Sequence, residues 1–472
     1  MFEMRFRIPE NLDIENLIEL NSIEFYRNKL KKEKLIFICD ALLNSRAKHR
    51  KQIEKKRNLF VPLSSNILQE VAYDYKKYLD FLLKTKIILT DNHFRRGIKC
   101  IGYRFTDPYT GQRNKTITVS SYSLKKARSR AIQKRNQELK KELRRYRYIT
   151  KWWDSGLLKI DVEAAHMWLD QYEIEKIQII KHEAIPDKEF RIKMAIETTV
   201  DFKTLVNAIN YHKATYSFSG KSHRFYNPIT NIKKELRDFL TYDGQRLVEI
   251  DLKNSQPFFA TCLLDLSFWE STKKLNLKNI NKGIYNTILK NLVFEDIITL
   301  LKSPESLVYK GIDAKKYSNL VINGHFYEYL SKHFKLKYPD RFNSRNNIKQ
   351  EVLRIFFVEN RKINLRFYRP CQTFSRHFPT ISKLFYLIKS VETNFLPIIL
   401  QSIESYLFLD IICKGISIEH PNIPIFTVHD SIITTEGNEK IVNEIIIQEI
   451  ENWTGFKPTT KINNLWPMKI AV

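Results

Sequence analysis

Hydrophobic and polar positions change period half-way through Arg246-Leu-Val-Glu-Ile-Asp-Leu-Lys-Asn-Ser-Gln-Pro-Phe-Phe259. Its first half alternates, with Val248, Ile250 and Leu252 on one side and Leu247, Glu249 and Asp251 on the other, the signature of a β-strand. The row of Val248, Ile250 and Leu252 is expected to be buried, leaving Asp251 on the opposite face near the strand's end. Asn254, Ser255 and Pro257 break the alternation, and the apolar run Phe258 to Leu264 predicts a helix with Pro257 in its first turn. A second stretch, Pro424-Ile-Phe-Thr-Val-His-Asp-Ser-Ile-Ile-Thr-Thr-Glu436, predicts two short strands around His429-Asp430, a hairpin with an acidic tip.

The rest of the chain is patterned as follows. Residues 1–58 read as polar helix ending in the basic run Arg46 to Arg57. Helices are expected from Asn66 to Val71 and from Tyr73 to Thr85, then strands at Lys86–Thr90 and Ile101–Phe105 joined by the basic Asn92 to Gly97. Two short helices followed by a β-ribbon is the layout of a winged helix, whose second helix can enter a major groove. From Leu124 to Lys151, Leu124, Ala127, Ala131, Leu139, Leu143 and Tyr146 recur at helical spacing. Trp152 and Trp153 are expected to anchor the end of that helix in a core. A helix from Glu439 to Trp453 and a last strand complete the pattern.

Charge changes the picture most. The 472 residues carry a net charge of +27 and a pI near 9.6, which favours a polyanionic partner such as nucleic acid. The stretch 124–151 holds 12 Lys or Arg (among them Lys134, Arg135, Lys141, Arg144 and Arg145) against Glu138 and Glu142. Self-repulsion of that density is offset by a phosphate backbone. Five scattered cysteines without Cys-x-x-Cys spacing point to reduced thiols in a cytoplasmic setting and to no structural zinc. The charged N-terminus lacks the apolar run of a signal peptide, and no membrane span or membrane partner is expected. Gly220-Lys-Ser222 is not a P-loop, because Thr215 stands where that motif needs glycine.

Asp251 and Asp430 carry the candidate chemistry. Two carboxylates from separate strands can bracket two metal ions roughly 3.5–4 Å apart, an arrangement suited to nucleotidyl transfer. In this setting Asp251-x-x-x-Ser255-Gln256 and Val428-His429-Asp430 resemble motifs A and C of the single-subunit polymerases related to family A DNA polymerases and phage RNA polymerases. The resemblance spans roughly residues 200–472.

It implies an α+β fold, a polymerase right hand of palm with helical fingers and thumb, preceded by the winged-helix-like domain. The corresponding boundaries are 1–59 (helical segment), 60–122 (winged-helix-like), 123–200 (basic, thumb-like connector) and 201–472 (palm and fingers). It further implies Mg²⁺, two ions held by Asp251 and Asp430 with Mn²⁺ able to substitute, and nucleoside triphosphates and a primer–template duplex or single-stranded template as partners. Arg224-Phe-Tyr-Asn-Pro to Arg237 resembles the segment before motif A, placing Arg224 at the primer–template minor groove and Arg237 near the triphosphate. Arg345-Asn-Asn-Ile-Lys349 with Phe356-Phe357 resembles motif B, giving the triphosphate two cations and the nucleotide an aromatic, Phe357 or Phe356; the Tyr-Gly that usually ends that helix is replaced by Val358-Glu-Asn360. Gln401 lies in a segment similar to the helix before motif C and is placed with His429 on the nucleic acid. The bulky Gln256 and an aromatic without hydroxyl favour DNA as product, whereas Ser431 after the His-Asp pair matches the RNA polymerase version. No stretch resembles a proofreading exonuclease. The expected activity is DNA synthesis in replication of a phage, plasmid or other mobile element. The alternatives are an RNA polymerase or primase-like enzyme on the same palm, and a DNA-binding replication initiator without catalysis.

Overall fold

The computed structural model describes residues 4–53, 59–94, 100–110, 114–183, 187–210, 216–302, 310–337, 342, 344–362 and 369–465. The chain forms two compact units, one of Met1–Lys141 with Asp161–Tyr211 and one of Glu142–Ile160 with His212–Val472.

The first unit contains β1 (Met4–Pro9), β2 (Val61–Pro62), β3 (Ile88–Thr90), β4 (Gly102–Phe105) and β5 (Asn114–Val119). The opening of the chain is not helical: Met4, Phe6 and Ile8 alternate with Arg5 and Arg7, so Met4–Pro9 is a strand paired antiparallel with β5. Its apolar face is buried together with Leu35, Ile38 and Leu42 of helix Lys32–Ile53. Two helices, Ser65–Val71 and Tyr75–Lys84, precede the ribbon, and the small sheet runs β2-β4-β3. The Asp91 carboxylate closes the ribbon by accepting from the backbone N–H groups of Gly102 (2.8 Å) and His93 (3.1 Å). A Cβ at Gly102 would lie 2.7 Å from that carboxylate, which is why glycine stands there. Residues 95–99, in the expected basic connection, lie outside the described ones.

The basic stretch is helical from Tyr122 to Arg145, and the division between units falls inside this helix. Tyr146 ends it, and a short helix Arg147–Asp154 follows. Trp152 and Trp153 do pack against the core of the second unit, Trp153 edge-on to Phe426 at 5.1 Å.

The second unit contributes β6 (Leu158–Ile160), β7 (Ser217–Phe218), β8 (Phe225–Tyr226), β9 (Leu240–Tyr242), β10 (Gln245–Leu252), β11 (Phe426–Val428), β12 (Ser431–Thr435) and β13 (Thr460–Leu465). The sheet runs β11-β12-β10-β9-β6, with β13 also paired to β10. Flanked on both edges, β10 is the centre of this unit. It is not half-exposed as its alternation predicts: Leu247 and Glu249 are as buried as Val248 and Ile250, and between Leu247 and Leu252 only Asp251, near the strand's end, keeps access to solvent.

Helices fill the chain between β10 and β11. The Asn-rich stretch after Leu264 forms short helices because Asp265, Asn276 and Asn281 accept hydrogen bonds from the first-turn N–H groups of Ser267, Asn279 and Ile284. Helix Phe395–Ser405 continues through a π-helical stretch, Tyr406–Ile412, into Cys413–Glu419. This 25-residue rod is apolar enough to cross a membrane by length and composition, but 67% of its most apolar window is buried inside the protein. It is placed as a core helix. Lys389, also buried, donates to the carbonyls of Ile355 and Val358 and so satisfies the C-terminal end of helix Arg345–Phe357; burial lowers its amine to about 8.

Candidate active site at the end of the central strand

Two backbone facts bring the separated acids together. Asp251 faces Ser431 in the β10–β12 ladder, and the N–H of Leu252 donates to the carbonyl of Asp430 at 3.2 Å. His429 and Asp430 form the two-residue turn between β11 and β12, with His429 at φ +56°. A positive φ at the first central position is normally taken by glycine, so a histidine there holds backbone strain. Asp430 lies beyond the ladder, so strand alternation does not dictate where its carboxylate goes.

The electrostatics follow. Burial, then the nearby charges of Asp430 and Glu249, push the Asp251 carboxyl up to about 7, while Lys234 and Lys349 pull it down. Lys349 is one of the residues placed on the triphosphate, and it acts on Asp251 from the exposed face of helix Arg345–Phe357. Burial, with the Arg224 charge, lowers the His429 imidazole to about 4, and its ring meets Tyr226 edge-on at 5.5 Å. A neutral imidazole packed this way shapes the turn.

Below Asp251 on the same face, Glu249 is 2% exposed. Its Oε1 accepts from Arg237 Nη1 (2.9 Å) and Ser431 Oγ (3.0 Å), and Lys234 Nζ lies 3.5 Å from Oε2. Arg237, expected at the triphosphate, is thus tied to the strand. Ser431 is buried and donates to the same carboxylate.

A second buried acid was not singled out from the sequence. Glu404, 1% exposed on helix Phe395–Ser405, takes Nε and Nη2 of Arg224 at 2.9 and 2.8 Å and Nε2 of Gln256 at 2.7 Å. Arg224, expected at a minor groove, is therefore paired inside the protein, its side chain 17% exposed. Burial pushes Glu404 up to about 7, with Arg224 opposing and Asp430 adding to it. The sequence signal is an acid in an otherwise uncharged helix, three residues after Gln401.

Arg345 opens its helix at the surface, donating to Glu328 at 3.1 Å and lying 5.3 Å over the ring of Tyr327. Tyr327 is a further residue the sequence did not mark; burial raises its hydroxyl well above the ordinary range, Arg345 lowers it and Asp430 adds to it. Phe356 is wholly buried in the core, and Phe357, partly buried, packs against that core. Gln401 is partly exposed on the helix that carries Glu404. Along the basic helix, Lys134 is exposed and paired with Glu70 at 3.3 Å, and Arg144 is exposed. Arg145 is held by Asp410 at 2.6 Å. The side chains of Arg135 and Lys141 lie outside the described ones.

Among the described residues no group of three or more His, Cys, Asp and Glu forms a metal cluster. The two carboxylates of Asp251 and Asp430 are donors of the kind Mg²⁺ takes, since that ion keeps several waters and is usually held by one or two carboxylates plus phosphates. A raised Asp251 beside Asp430 is also a site a cation would relieve. Because the folded-state pKa lies above the unfolded one (~4), the stability Asp251 contributes is complete at low pH and is lost as pH rises through 7. Asp251→Asn is therefore expected to melt higher than the parent protein at pH 8 without metal. Millimolar Mg²⁺ should raise the parent's Tm by about 2–5 °C and leave the variant unchanged. Equal shifts in both would place the cation elsewhere.

The chain matches no protein-family model and no curated protein. Among solved structures it is similar to the POL domain of Pol1 from M. smegmatis in complex with DNA primer-template and dNTP. The TM-score is 0.35 and the identity 11%, over 70% of this chain and 72% of that one. A likeness of that size carries no inference about activity.

Proposed function

We propose that the second unit is a template-directed nucleotidyl transferase that extends a nucleic-acid 3′-hydroxyl, with DNA as its product. One observation carries this reading: Asp251 and Asp430, 179 positions apart, meet at adjacent strand ends with Lys349 acting on the same spot. In this reading the sheet around β10 is the palm and the helix Arg345–Phe357 belongs to the fingers. Residues 123–200 grip the duplex as a thumb-like connector, and residues 60–122 bind DNA as a winged helix.

The 3′-oxygen attacks the α-phosphorus of the incoming nucleotide; the bond to the bridging oxygen breaks, pyrophosphate leaves, and the hydroxyl proton passes to solvent. When bound, Mg²⁺ acidifies the hydroxyl and stabilises the leaving charge. Asp251 and Asp430 would hold it. Lys349 and Arg345 draw in the triphosphate, Phe357 packs behind the nucleotide, and Gln256 stands where the sugar binds. His429 supports the turn that presents Asp430.

A primer-extension assay on a DNA template with Mg²⁺ tests the reading. Deoxynucleotides should be incorporated at least about tenfold more efficiently than ribonucleotides, a difference of roughly 1.4 kcal/mol in the barrier. A reversed preference makes the enzyme an RNA polymerase or primase. Tight DNA binding without any incorporation makes it a replication initiator.

A further inference from the structure

Glu404 accepts from donors that come from two separate parts of the second unit. Its carboxylate takes two N–H groups of Arg224, just before β8, and one of Gln256, in the first turn of helix Ser255–Cys262. An ionised carboxylate offers about four acceptor positions, and three are filled here by short hydrogen bonds, two of them from a guanidinium fork. The arrangement also fixes something that is otherwise free in a glutamine side chain. With Nε2 committed to Glu404, flipping the amide would set its oxygen against a carboxylate oxygen. The Gln256 carbonyl must therefore face away from Glu404. Its Oε1 is buried and has no hydrogen-bond partner among the described residues.

A buried acceptor without a partner calls for a ligand that brings a donor. Phosphate oxygens bring none at neutral pH and are repelled by the nearby acids. A sugar hydroxyl does bring one. Gln256 also sits five residues after Asp251, and the charge of Asp430 reaches Glu404, so the free oxygen belongs to the neighbourhood of the acidic pair.

We infer that Glu404 is a positioning residue, locking Arg224 and Gln256 into one unit so that the Gln256 carbonyl accepts a hydrogen bond from a sugar hydroxyl of the incoming nucleotide. The inference rests on the polymerase reading above. Glu404 touches no substrate itself; it acts through the amide it orients.

Single-nucleotide extension with deoxy-, dideoxy- and ribonucleotides separates the possibilities. For the parent protein, a deficit with the dideoxynucleotide alone assigns the 3′-hydroxyl, and a gain with the ribonucleotide assigns the 2′-hydroxyl. Glu404→Gln puts an N–H₂ against either Arg224 or Gln256, and should shrink that discrimination roughly tenfold, through KM more than kcat. The exchanged pair Glu404→Gln with Gln256→Glu restores both the hydrogen bond and an acceptor, and should recover the discrimination to within about threefold. Gln256→Met keeps the Arg224–Glu404 pair and covers the case in which Glu404→Gln does not fold; it should lose discrimination as well. A parent enzyme that extends primers, with variants that lose activity equally on all three nucleotides, would overturn the positioning role and leave the polymerase reading intact. A parent protein that incorporates no nucleotide removes the polymerase reading, and this inference with it.

Discussion

Asp430→Asn is expected to lower single-turnover primer extension by at least about a thousandfold, roughly 4 kcal/mol in the barrier, with DNA affinity changed by less than about threefold. The size follows from what the carboxylate is asked to do. Asp430 sits on a turn whose backbone is fastened to β10 through Leu252 N–H, so asparagine should keep the position and lose only the charge. One carboxylate of two is then gone. Folding should not suffer, because Asp430 is one of the charges that push the Asp251 carboxyl up; a melting temperature equal to or above the parent's is the matching control. If Asp430→Asn extends primers as fast as the parent protein, Asp430 has no part in the chemistry.

Affinity for duplex DNA is expected to fall about a thousandfold between 50 and 200 mM salt, a log–log slope on the order of −5. At about −0.9 per phosphate contact, that slope needs five or six cations on the backbone. The basic helix can supply most of them. Lys126, Arg130, Lys140 and Arg144 are exposed along Tyr122–Arg145, and Lys134 is held by an exposed pair with Glu70 that is weak in salt. Other members of the run are committed elsewhere: Arg128 lies over the ring of Phe6 at 5.1 Å and Arg145 is paired with Asp410. Replacing Arg130 and Arg144 with alanine should flatten the slope by about two and weaken binding to all sequences alike. A slope near zero in the parent protein would make this helix an ordinary solvated one.

The two predictions draw on different kinds of legibility. A charge run is visible in any sequence, but which of its members are free is not. Arg128 and Arg145 read the same as Arg130 and Arg144 until the chain folds. The strand bearing Asp251 was readable from period-two alternation, and the hairpin bearing Asp430 from two apolar runs around a short polar pair, because both signals are local. The start of the chain departs from its expected helix for the same reason. Met4 to Pro9 is short, its alternation is carried by arginines, and its partner strand begins more than a hundred residues later.

The amino-acid sequence by itself determined the elements around the acidic pair, their order, and a surface charge that favours nucleic acid. Tertiary structure decided how those elements share hydrogen bonds. Arg224 and Gln256 look like surface-facing polar residues until Glu404, 180 and 148 positions away, takes their N–H groups. Glu249 looks like the exposed neighbour of Asp251 until β12 and β13 close on both sides of β10, β12 bringing Ser431 onto it and the helical turn Lys234–Phe239 before β9 bringing Arg237. Periodicity records which face of an element is apolar. It holds no record of which distant chain segment will cover that face, and a buried charge is stable only once its partner has arrived.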